Sequence, residues 1–218
     1  MTFRDSTSPQ AFVFYYNYQL DFMSLTKFNP RTAVLLLFIL LTATIRVIFN
    51  FSDHISALAN FSPVGAMALF GGTYFRSTWK AFALPLFVLI LSDVILHQTV
   101  FKPYANGILY SGWYWVYGAF ALMTVAGRWL LKKITLNHFM VSVVTCVFIH
   151  WIVTDLGIWI GSTKYSQDLN GFIACLVNAI PYEWRFGAGT FVYGAILFGS
   201  FEWMKRKYGI LKTVQTTE

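Results

Sequence analysis

The stretch Ala81–His97, AFALPLFVLILSDVILH, decides what kind of protein this is. Apart from Ser92, Asp93 and His97 it is wholly apolar, and a helix needs ~20 such residues to cross a hydrocarbon layer of ~30 Å. A carboxylate inside such a segment is expensive, which makes Asp93 a functional-site candidate by default.

Working outward, the same pattern recurs at Ala33–Phe49, Phe61–Phe75, Gly112–Leu131, His138–Gly161 and Phe186–Met204. The expected fold is an all-α integral membrane bundle of six transmembrane helices. Before the last of them, Leu169–Trp184 reads as an amphipathic or re-entrant outer helix, broken by Pro181. Composition agrees: of 218 residues, 57% are hydrophobic and only 11% charged, where a soluble domain carries about a quarter charged. The expected division is a cytoplasmic or interfacial extension over 1–32, a membrane domain over 33–204 and a basic tail over 205–218.

The net charge of +7 does not point to nucleic acid, because the basic residues collect between apolar segments. Arg4, Lys27 and Arg31 precede the first, and Arg76 and Lys80 separate the second from the third. Arg128, Lys132 and Lys133 separate the fourth from the fifth; Lys205, Arg206, Lys207 and Lys212 come after the last. The alternate connections offer only Lys102, Lys164 and Arg185, opposed by Asp53, Asp168 and Glu183. Positive charge on alternate connections places both termini on the cytoplasmic side. A start at Met23 instead of Met1 gives a basic lead into an apolar run, which resembles a signal peptide. The run continues to Phe49, so an uncleaved first helix is expected.

Counted from their inner ends at 1.5 Å per residue, Arg46 and Asp93 stand ~20 Å up their helices and Asp155 ~26 Å. His97 lies one turn beyond Asp93 on the same face. Asn60 and Ser62 open the second helix at this level, and Trp113, Tyr114 and Trp115 open the fourth. An aromatic wall with a few polar anchors is the usual lining of a small-molecule site. Each residue also has an ordinary reading: a helix-locking ion pair for Arg46 and Asp93, a solvated interface position for Asp155 and His97, an interfacial aromatic belt for the tryptophans. The common depth is what argues for a pocket.

Cys146 and His150, one turn apart, have a spacing open to a soft metal; two ligands make no site, and buried packing is the expected role. HExxH, CxxC, Walker-type and GxSxG motifs are absent from the chain, so neither cofactor nor ATP-binding loop is expected. Small residues crowd the second helix, where Ala68 and Gly72 form a small-xxx-small pair; packing within the chain is the ordinary reading, and a docking face for another membrane protein is the alternative.

The stretch Asn60-Phe61-Ser62-Pro63-Val64-Gly65-Ala66-Met67-Ala68-Leu69-Phe70-Gly71-Gly72 resembles the signature of an uncharacterised bacterial membrane-protein family. Leu84-Pro85-Leu86 and Leu91-Ser92-Asp93 resemble its second motif. That family is similar to the substrate-binding S-components of energy-coupling-factor (ECF) transporters, the small cobalamin-type members among them. The resemblance covers Ala33 to Met204. It implies a vitamin-like cargo bound in an outward-facing pocket, and partnership with a transmembrane T-component and its ATPases. Ala33 and Ala43 lack the alanine-xxx-alanine spacing many S-components use for docking, which leaves Ala68, Gly71 and Gly72 as the expected docking face. Two other functions compete: a membrane-embedded enzyme using Asp93 and His97 as an acid–base pair, and an accessory subunit whose charges lock helices together.

Overall fold

The computed structural model describes residues 30–51, 61–100, 102 and 107–211. Six α-helices make up the described part, with no strand among the described residues. They are α1 (Pro30–Phe51), α2 (Val64–Tyr74), α3 (Thr78–Gln98), α4 (Trp113–Leu130), α5 (Leu136–Trp159) and α6 (Leu169–Lys207), with a 3₁₀ turn over Gly209–Leu211 after them.

Local chemistry explains most of the helix starts. Pro30 occupies the first helical position of α1, where a missing N–H costs nothing. Gly112 precedes α4 with φ 79°, a left-handed conformation that glycine adopts freely. Thr135 accepts the His138 N–H at the head of α5 at 3.3 Å. Asp168 accepts the Gly171 N–H at the head of α6 at 2.8 Å, so both starts carry a side-chain cap.

Three helices, α1, α3 and α5, are long and apolar enough to cross a membrane. Their outer faces carry apolar side chains that a water-soluble fold would bury: Leu37, Leu41, Phe87 and Phe148 are each more than half exposed. With 11 residues, α2 is ~16 Å long, about half of what a span requires. It lies at the centre instead. Ten of its residues are buried, and it packs against α3, α4 and α6.

Glycines make that centre possible. A Cβ on Gly72 would stand 2.1 Å from the Thr124 carbonyl oxygen of α4, and one on Gly127 of α4 would stand 2.6 Å from the Leu69 carbonyl oxygen. On the α6 side, a Cβ on Gly189 would lie 2.8 Å from the backbone of Ser62. Van der Waals contact between backbones replaces the hydrophobic drive that lipid removes. Below this contact Phe70 packs against Phe38, Tyr74, Phe198 and Phe201.

Two expectations are corrected here. Leu169–Trp184 and Phe186–Met204 are one continuous helix of 39 residues with Pro181 inside it. Proline deletes a single intrahelical hydrogen bond, and helices packed among others tolerate it. Ala68, Gly71 and Gly72 are buried within the chain, against α4 and, through Pro85, α3. They are the seam of the bundle, already covered by the chain's own helices.

The basic residues that lead into α1 and end α6 meet at one end of the bundle. Arg31 donates to the carbonyls of Leu211 (2.8 Å) and Tyr74 (2.9 Å), while the Tyr74 hydroxyl and Lys205 both donate to Glu202. Residues 205–207 therefore belong to α6, and the tail begins only after Lys207.

Candidate functional site

At the other end of α1 the apolar pattern is broken by Arg46. Its Nη1 lies 2.5 Å from Asp93 Oδ1 on α3 and donates to Ser92 Oγ at 2.7 Å. The Ser92 hydroxyl donates in turn to the Leu89 carbonyl at 2.8 Å. The second carboxylate oxygen of Asp93 accepts from the Tyr117 hydroxyl of α4 at 3.0 Å. Tyr110, in the connection before α4, donates to the same oxygen at 3.5 Å. Burial, reinforced by the negative charge of Asp93, raises the Tyr110 phenol above its ordinary range, so it stays a donor. Asp93 is only 4% exposed yet is bonded by a cation and two hydroxyls from three elements.

His97 lies one turn beyond Asp93 and is 6% exposed. Its Nε2 has no hydrogen-bond partner among the described residues. The partners of Asp93 are Arg46, Tyr110 and Tyr117, not His97, so the i,i+4 pair is not a formed acid–base dyad. The aromatic wall divides. Trp113 packs on Tyr117 at 5.3 Å between centroids and stands beside the cluster. Tyr114 is exposed, and Trp115 turns away to fill the notch above Gly157 of α5. Ser62 Oγ accepts the Val64 N–H at 3.3 Å and serves the start of α2. Asn60 falls outside the described residues.

Asp155 does not join this group. It belongs to a second cluster between α5 and α6, where Cys175 Sγ lies 3.9 Å from Asp155 Oδ1. His150 Nδ1 pairs with Glu183 Oε1 at 2.8 Å, and the His150 ring stacks on Phe186 at 4.0 Å. Asp155 lies within electrostatic reach of Glu183 and His150. The reason for the separation is azimuth: α1 packs on α3, whereas α5 packs on α4 and α6, so equal depth brings Arg46 and Asp155 no closer. Cys146 is fully buried, and no group of three or more metal-ligating side chains occurs among the described residues.

Sequence reasoning missed Tyr110, Tyr117 and the buried role of Glu183. For Tyr117 a signal existed, since it stands four residues after Trp113 and so shares its face. Glu183 read as part of an outer connection because Pro181 and Arg185 flank it.

Fold and site together define a helical protein of membrane character with a buried, charge-balanced polar centre near one end of its bundle. A family model described as "Family of unknown function (DUF6580)" matches residues 26–214, and the chain belongs to that family. No curated protein and no solved structure matches it.

Proposed function

We propose that this chain is a membrane-embedded substrate-binding component for uptake of a vitamin-like micronutrient, bound at the end of the bundle where Arg46, Asp93 and Tyr117 meet. One observation carries the reading: an ion pair and two phenols converge from separate elements inside apolar sequence, beside a buried imidazole nitrogen without a partner among the described residues. Charge buried in this way is costly, and membrane proteins retain it where ions or substrates are handled. Arg46 offers a fork suited to a carboxylate or phosphate. Tyr110 and Tyr117 hold Asp93, His97 offers Nε2, and Trp113 supplies a flat apolar wall.

The likeness to ECF S-components adds the finer picture. In it six helices cross or enter the bacterial cytoplasmic membrane, both termini are cytoplasmic, and a T-component with its ATPases supplies the energy. Such a partner meets the lipid-facing helices, since the small residues of α2 are already covered.

Purified protein in nanodiscs, screened against vitamins and corrinoids by thermal shift, tests the proposal. At least one compound should stabilise the native chain and lose its effect in Arg46→Ala and Asp93→Asn. A compound that stabilises all three proteins equally overturns the site assignment. Absence of any response, together with a stoichiometric co-purifying membrane partner, favours an accessory subunit locked by the same ion pair.

A further inference from the structure

The second cluster borders a groove. It runs between α5 and α6 and holds about 460 Å³, within the range of ~300–1,000 Å³ typical of small-molecule sites. Val144, Val147, Phe148 and Trp151 of α5 face Trp184 and Ala188 of α6 across it. Gly187 on α6 keeps it open, since a Cβ there would stand 3.0 Å from Val147. The charged member of its lining is Glu183.

Glu183 is 6% exposed. Its Oε1 is taken by His150 at 2.8 Å, but its Oε2 has no hydrogen-bond partner among the described residues. A buried carboxylate oxygen left unsatisfied is costly; in the neighbouring wall, the Trp151 indole N–H is already given to the Leu176 carbonyl at 3.0 Å. We propose that the α5–α6 groove is a second binding site, taking from the bilayer a single-chain amphiphile whose head group donates one hydrogen bond to Glu183 Oε2.

Three features select this occupant. The groove opens on α5, one of the helices apolar enough to cross a membrane, so a lipid-dissolved molecule has direct access. Its walls match an alkyl or isoprenoid chain. The orphaned acceptor matches a hydroxyl or amine, and rejects heads that only accept. The site is built from different helices than the Arg46–Asp93 centre and stands or falls separately from it.

The test uses a twelve-carbon alcohol carrying a diazirine, photolysed with the full-length protein in nanodiscs and mapped by mass spectrometry. Labelling should concentrate on α5 and α6 and fall at least fivefold with excess 1-dodecanol. Dodecane and methyl dodecanoate should not compete. Glu183→Leu should remove the preference for the alcohol. Ala188→Phe, which fills the groove and leaves the His150–Glu183 pair in place, should abolish labelling there while circular dichroism confirms the fold. Equal competition by dodecane means the groove holds ordinary lipid tails and overturns the proposal. So does labelling spread evenly over all lipid-facing helices, or labelling of α5 and α6 blocked only by a co-purified membrane protein.

Discussion

The two buried charge clusters contain similar residues and solve opposite problems. Around Asp93 a guanidinium and two phenols from α1, α4 and the intervening connection satisfy both carboxylate oxygens. Between α5 and α6, Glu183 pairs with His150 and Asp155 lies 3.9 Å from the Cys175 thiol, while Asp155 Oδ2 and Glu183 Oε2 are left without partners among the described residues. The first centre is balanced and ties three elements together. The second carries surplus acceptors beside an open groove. Balance makes removing a partner there severe; surplus makes removing charge there mild.

The largest expected effect comes from breaking the balanced centre. Arg46→Ala leaves Asp93 as an uncompensated buried charge, and a broken buried pair costs about 3–5 kcal/mol. Thermal unfolding in detergent should show that loss, and the double variant Arg46→Met/Asp93→Leu should recover much of it. If the double variant is no better than the single, the pair is not what holds α1 to α3.

Next comes the seam that positions both clusters. Gly72→Ala drives a Cβ to within 2.1 Å of the Thr124 carbonyl, a backbone atom that cannot step aside. Overpacking of this kind costs about 1–3 kcal/mol, and here the upper end is expected. Gly199→Ala is the control, because nothing lies within 4 Å of a Cβ there; its melting temperature should match the native protein's.

Tyr117→Phe removes one hydrogen bond to a charged group, about 1.5–3 kcal/mol, whereas Tyr110→Phe, at 3.5 Å, should cost far less. Glu183→Gln sharpens the contrast between clusters. It keeps the volume and an acceptor for His150 and discards a buried anion, so stability should change by less than about 1 kcal/mol in either direction. A loss as large as that of Arg46→Ala would erase the distinction drawn between the clusters.

The smallest effect concerns pH at the head of α6. The Gly171 N–H, with the Ser166 hydroxyl, holds the Asp168 carboxyl below its usual range. A depressed folded value contributes stability above the unfolded value of about 3.9 and loses it as pH falls through the folded one. Hydrogen-exchange protection in the first turn of α6, taken relative to the intrinsic rate at each pH, should therefore fall below pH ~4, and Asp168→Ala should lower it at neutral pH.

Much of this is readable from residue order. Charges stranded in apolar runs point to Arg46 and Asp93, and the small-residue run over Gly65–Gly72 points to a tightly packed helix. Residue counting, however, yields height along a helix and says nothing of direction around it. Height alone therefore groups Asp155 with Arg46, whereas packing order places it beside α6. Tyr117 shares a helix face with Trp113, but that spacing alone does not tell whether the face meets headgroups or a buried carboxylate. The unbroken α6 is hidden for a related reason: Pro181, Glu183 and Arg185 look like an interruption until neighbouring helices are present to accommodate them.

The most direct test of the central claim separates binding from locking at Arg46 and Asp93. The exchanged variant Arg46→Asp/Asp93→Arg keeps opposite charges facing each other across α1 and α3 but inverts what they present to a ligand. The account predicts a folded protein, destabilised by about 1.5–3 kcal/mol because an arginine at position 93 offers the Tyr117 hydroxyl no acceptor, that no longer gains thermal stability from the micronutrient that stabilises the native chain. An exchanged variant that responds to the compound like the native protein would contradict it, and the pair would then be a lock and nothing more.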